Sequence, residues 1–113
     1  MIEKIAELLN QLDIKAKYII RPAIQNGLAV SYHFYNDRYA YYGDGDGVDF
    51  IQALQVDIFY QRNLNGLDKQ IINLFKKYNI RFENSFDSFE TLNNVRLYHK
   101  VLTFNFLESE VNA

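Results

Sequence analysis

The sequence predicts one α+β domain, and three observations predict it. Apolar residues recur at three- and four-residue spacing near the N-terminus and again after Gly66, which marks two amphipathic helices. Between and after them, aromatic and β-branched residues alternate with polar ones in the two-residue rhythm of strands. At 113 residues, 49% hydrophobic and 23% charged, the chain is long enough for one core that buries roughly 60–70% of its unfolded surface, and too short for two. The order helix, strands, helix, strands implies an antiparallel or mixed sheet with two helices packed on one face.

The first helix is expected over residues 2–12, where Ile2, Ile5, Leu8, Leu9 and Leu12 form the stripe, and it closes near Asp13. From Ile14 to Arg21 the chain is basic and β-branched. Pro22 restricts Arg21 and lacks a donor, so this segment is at best an edge or a connector. Gly27 opens a strand from Leu28 to Tyr35; Asn36-Asp37 breaks it, and Tyr39-Ala40-Tyr41-Tyr42 forms a second piece. The run Gly43-Asp44-Gly45-Asp46-Gly47 is the strongest turn signal in the chain and belongs at an exposed tip. In the strand that follows, Leu54, Val56, Ile58 and Tyr60 share one face, and Gln55, Asp57 and Phe59 share the other.

Asn63-Leu64-Asn65-Gly66 is a second turn, with Asn65 as the expected N-cap and Asp68 as a first-turn acid. Leu67, Ile71, Leu74, Phe75 and Tyr78 then give the second helix, and Lys76-Lys77 suits its C-terminal dipole. Two strands close the chain, over residues 80–86 and 95–107, and the acidic tail 108–113 is expected to fray. Nothing divides the chain, so residues 1–113 are read as a single domain.

Composition excludes several kinds of chemistry. With no cysteine, the chain has no disulfide, thiolate zinc site, iron–sulfur cluster or cysteine nucleophile. Twelve basic against fourteen acidic residues, a net charge of −2, leave no basic face of the kind that displaces counterions from nucleic acid. No stretch approaches the roughly 20 apolar residues that span a bilayer. Met1-Ile2-Glu3-Lys4 lacks the form of a secretory signal, so the cytoplasm is the expected compartment.

Motifs for catalysis are missing as well. The run Asp44 to Asp49 resembles the start of a calcium loop, but Val48, Asp49 and Gln55 stand where that template needs a ligand, a glycine and a glutamate. It also connects strands, not helices. His33 and His99 are the only histidines. Each lies inside an expected strand, apart from any evident carboxylate set, and reads as a sheet-face residue. None of Ser31, Ser85, Ser88 or Ser109 sits in a nucleophile motif. The expectation is a protein without enzyme activity, cofactor or metal.

The aromatic residues carry more information. They make up 16% of the chain, and Tyr32, Tyr35, Tyr39, Tyr41 and Tyr42 fall within eleven residues. Strand alternation sends such residues to both faces, more than one core can absorb. Tyrosines of this kind suit protein–protein interfaces, where the ring is buried and the hydroxyl finds a partner. Stacking on single-stranded nucleic acid would want basic residues among them, and only Arg38 qualifies. The candidate interface is therefore Tyr35, Arg38, Tyr39, Tyr41, Tyr42, Asp44, Asp46 and Asp49.

In layout, the chain resembles the tail-terminator and head–tail joining proteins of long-tailed bacteriophages and prophages. The likeness covers residues 1–107. It runs through the N-terminal helix, the strand Val30-Ser31-Tyr32-His33-Phe34, the Tyr-rich piece with its acidic Gly/Asp loop, and Leu54-Gln55-Val56-Asp57-Ile58-Phe59-Tyr60. It ends with the helix from Leu67 to Tyr78 and the closing strand from Leu97 to Phe106. It rests on architecture, not on an invariant motif. The resemblance implies a structural virion protein, made in the host cytoplasm, that forms a hexameric ring on the tail tube and joins it to the head connector. DNA would pass through such a ring without specific binding, which suits a mildly acidic chain. The alternative is a small protein-binding or regulatory module that acts through the Tyr-rich strand.

Overall fold

The computed structural model describes residues 2–42 and 47–111, with 36–42, 47–50 and 92 described through their backbone alone. Its order is α1 (Ile2–Asn10), β1 (Lys17–Tyr18), β2 (Leu28–Tyr42), β3 (Gly47–Tyr60), α2 (Leu67–Lys76), β4 (Arg81–Leu92), β5 (Val95–Leu107) and α3 (Glu108–Val111). The strands form one mixed sheet in the order β1-β2-β3-β5-β4, in which β1 runs parallel to β2 and every other neighbour is antiparallel. This is the expected α+β domain.

Both long helices end by the same device. Asp13 and Asn79 adopt left-handed backbone, with φ 61 and 63. Ile14 N–H then donates to Leu9 O, and Ile80 N–H to Phe75 O, as in a Schellman cap. The residue after each cap is apolar and turned into the core, with Ile14 4% and Ile80 0% exposed. Helix α2 begins at Leu67 behind Gly66, whose φ is 75 and which makes no side-chain cap. Asn65 is therefore not the N-cap. The carboxamide of Asn63 accepts from Asn65 N–H instead and shapes the turn.

The core lies between the helices and one face of the sheet. Ile5, Leu8 and Leu9 from α1 and Ile71 and Phe75 from α2 meet Val30, Tyr32, Leu54, Val56, Ile58, Leu102, Phe104 and Phe106. The rings of Phe75 and Phe104 are 4.9 Å apart, and those of Phe34 and Phe106 are 6.1 Å apart. Of the tail expected to fray, Glu108–Val111 form α3, which buries Val111 in this core, and its Glu110 carbonyl accepts from the Asn79 side chain. Arg81 pairs with Glu110 at 3.5 Å as well.

Two strands outgrow their expected lengths. Strand β2 does not end at Asn36-Asp37; these two residues form an irregularity between Tyr35 and Arg38, and β3 supplies partners on both sides of it, so β2 continues to Tyr42. Strand β4 runs to Leu92 because Asn93 and Asn94, at φ 52 and 65, close a tight hairpin onto β5. The long β2–β3 ribbon draws the molecule out to 58 × 24 × 20 Å and a radius of gyration of 15.4 Å, against about 13 Å for a compact chain of this length.

Of the cluster's tyrosines whose side chains are described, Tyr32 belongs to the core and Tyr35 is half-buried. Tyr32 is 2% exposed, and its hydroxyl donates to Ile2 O at 3.1 Å. Burial, with the neighbouring Tyr18 and Glu3, pushes its phenol above the ordinary tyrosine value. Burial pulls the Lys100 ammonium down, but the hydrogen bond and charge of Asp87, with Asp68 and Tyr60, outweigh it and raise the group. Both groups bind their proton more tightly folded than unfolded, so both contribute stability that is lost as pH rises through their folded values. Urea midpoints should therefore fall above about pH 10. In Tyr32→Phe the midpoint should be lower at neutral pH by the lost hydrogen bond, about 1 kcal/mol, and the alkaline fall should be shallower.

Candidate interface and polar cluster

Two features stand outside the core. The first is the outer end of the β2–β3 ribbon. Strand β5 accompanies β3 only as far as the pair Ile51↔Leu107, whereas β2 and β3 remain paired through Tyr39↔Phe50, Ala40↔Asp49, Tyr41↔Val48 and Tyr42↔Gly47. These four pairs form a two-stranded arm, roughly 13 Å long at about 3.3 Å per residue, that no third strand joins among the described residues. An isolated two-stranded ribbon is marginally stable in water. Tyr39, Tyr41, Tyr42 and Asp49 all lie on this arm, and Arg38, opposite Ile51, lies at its base. Tyr35 sits one step inward, opposite Ala53, half-buried and 6.1 Å from the His33 ring. Asp44 and Asp46 lie outside the described residues, as does the first half of the calcium-like run.

The second feature is a polar cluster on the sheet face away from the helices. Cross-strand register brings Ser31 of β2 opposite Asp57 of β3, and Phe59 opposite His99 of β5. Asp57 is 7% exposed. Its Oδ1 accepts from His99 Nε2 at 2.8 Å and from Gln55 Nε2 at 2.9 Å, and its Oδ2 lies 3.8 Å from His33 Nδ1. His99 in turn stacks on Phe59, with ring centres 4.2 Å apart. A buried carboxylate needs such donors, because leaving it unpaired in low dielectric is costly. Among the described residues no buried side-chain nitrogen or oxygen lacks a partner.

Sequence reasoning named Asp57 only as a residue of the outer face and read the two histidines apart. The structure gathers all three, since β2, β3 and β5 lie side by side and the residues are within two registers of one another. The period-2 pattern already placed His33 and Asp57 on strand faces. What it lacked was the strand order. Both histidines remain sheet-face residues, as expected. Among the described residues no group of three or more His, Asp or Glu is placed to hold a metal ion.

Over the described side chains, the free face mixes small and polar residues with the rings of Tyr35, Phe59 and His99. Tyr32 faces the helices, and the free side carries Ala29, Ser31, His33, Gln55, Asp57 and Thr103 in the middle of the sheet. The segment after β1 folds back over one end of it. There Arg21 lies 5.0 Å from the centre of the Phe59 ring and pairs with Glu90 at 3.0 Å. These residues, with Ser88, Phe89 and His99, line a shallow surface depression.

The chain matches no protein-family model and no curated protein. Among the described residues, no helix is long and apolar enough to cross a membrane.

The cluster predicts a stability cost. Asp57→Ala strips His99 and Gln55 of their shared acceptor, and chemical denaturation should show a loss of about 1–3 kcal/mol. An unchanged midpoint would mean that water replaces the carboxylate without penalty.

Proposed function

We propose that this chain is a structural phage morphogenesis protein, a tail terminator or head–tail connector, that works as a ring at the head-proximal end of the tail tube. The single observation that carries the reading is the arm: a tyrosine-bearing ribbon that runs past its own sheet and has no covering strand of its own chain among the described residues. A ribbon of that kind is completed by burial against another molecule. Ring neighbours, the tail-tube protein and the head connector are the proposed partners. The hexamer, the passage of DNA and the place in the virion follow from the resemblance of the layout to the phage proteins, and belong to the same proposal.

The reading assigns no reaction to the molecule. The Asp57 cluster spends its carboxylate on side chains of its own sheet, which suits a supporting part. Size-exclusion chromatography with light scattering tests the assembly. The expected species is a large oligomer, formed alone or on addition of tail-tube protein; a strict monomer under both conditions defeats the reading. Tyr41→Ala combined with Tyr42→Ala should leave the cooperative unfolding transition in place and impair assembly. Outright unfolding of the double variant would instead make these rings part of the fold.

A further inference from the structure

The sheet has two open edges, and they fit each other. Strand β4 is the last in the sheet, twelve residues long, with Phe82, Phe86 and Phe89 exposed by 41, 55 and 59%. It lacks the usual guards of an edge: it has no proline, no lysine and only one bulge, between Phe82 and Asn84. Its charges are turned back onto its own chain. Arg81 pairs with Glu110, Asp87 with Lys100 and Glu90 with Arg21, while Glu83 accepts from the Asn105 amide. Phe82 meets Phe104 edge-on, with ring centres 5.8 Å apart, and Arg96 lies 4.7 Å from the centre of the Phe89 ring, yet all three phenylalanines stay exposed.

At the opposite edge, β1 covers β2 only at Ser31 and Tyr32. Ile19 then takes a left-handed backbone, φ 69, and lifts the chain out of the row once its N–H has bonded Tyr32 O. Positive φ is strained for a β-branched residue. This turn exposes Ile19 and Ile20 by 66 and 69%, and it leaves β2 from His33 to Tyr42 without an outer neighbour among the described residues.

We infer that β4 of one copy pairs antiparallel with the open edge of β2 in the next, head to tail, so that one sheet continues through the assembly. Strand direction allows it: β2, β3, β5 and β4 alternate, so β4 runs antiparallel to β2 in every copy. The lengths also suit, twelve residues against the ten from His33 to Tyr42. In this arrangement the Phe89 end of β4 meets the Ile19-Ile20 corner, and exposed Lys17 meets a strand with three acids and one base. Pairing β4 with β4 of a second copy would set those acids against each other, which is unfavourable across strands, and would leave the β2 edge open in both. Register places Arg81 level with Tyr35, and Phe89 level with Leu28, of the same copy. Successive copies are thus staggered along the strands, and a closed ring takes up that stagger by tilting its strands against the ring axis.

This inference rests on the assembly reading and names its contact. The chain has no cysteine, so single-cysteine variants report the contact without background. Asn84→Cys, Phe86→Cys and Ser88→Cys proteins are each mixed with His33→Cys and Tyr35→Cys proteins, both on the same side of the β2 irregularity, assembled and oxidised. Disulfides between the two sets, in pairs whose residue numbers give one constant sum, are the signature of antiparallel pairing. Phe86→Lys should remain folded by circular dichroism and lose the oligomer. If the wild-type oligomer forms but links β4 to β4, or links neither edge, the inference fails and the assembly reading stands. If no oligomer forms with or without tail-tube protein, both fail.

Discussion

The pairing of β3 with β5 is the constraint on which the rest of the structure depends. Ten consecutive pairs, from Ile51↔Leu107 to Tyr60↔Tyr98, run without a register shift. Strand side chains alternate, so this one alignment decides two things together. It turns Leu54, Val56, Ile58, Leu102, Phe104 and Phe106 toward the helices, all 0–1% exposed. It also turns Asp57, His99 and Thr103 to the other side. A slip of one residue would bury Asp57 under α1 and α2 and push Ile58 into water, so each face enforces the register of the other.

The two faces are held by unlike means. The helix side is sealed by area: large, fully buried apolar side chains, where burying each is worth about 1.5–3 kcal/mol. Among the described residues the opposite side has no second layer, and there the middle of the sheet is built largely from small or mutually bonded groups. Ala29, Ser31 and Ala53 leave little surface to cover, while Gln55, Asp57 and His99 satisfy one another. Such a face is stable in water without inviting another sheet. Among the described residues, the large apolar side chains that stand open near this sheet are at the periphery, phenylalanines on β4 and Ile19 and Ile20 at the turn after β1.

The sequence made the helices, the long strands and the single core legible, because period 3.6 and period 2 are local properties that burial of one face reinforces. Strand lengths were less legible. Asn36-Asp37 looks like a break, yet β3 pairs with β2 on both sides of it, and tertiary pairing overrides local propensity. Asn93-Asn94 would have revealed the end of β4, since both residues tolerate left-handed backbone. The ordered α3 was hidden because one buried valine leaves no periodic signal. Of the candidate interface, the arm's tyrosines were legible as a cluster. The Asp57 cluster was not, since it depends on β5 lying beside β3 with the whole of α2 and β4 between them in the chain.

The arm and the edges follow from one asymmetry in strand length. Strands β2 and β3 have 15 and 14 residues, but β5 has 13 and is displaced along the sheet, so its last pair is reached at Ile51. Beyond that point the ribbon depends on its own hairpin. At the other edge, β1 contributes two residues and leaves the row through a strained turn. A chain selected only to fold alone would gain by trimming the ribbon, and by relaxing Ile19 with a glycine or asparagine, which accept positive φ at lower cost. The proposed assembly accounts for that combination: a long ribbon, a β-branched residue at positive φ and three exposed phenylalanines on an edge strand would each be finished by a neighbouring copy.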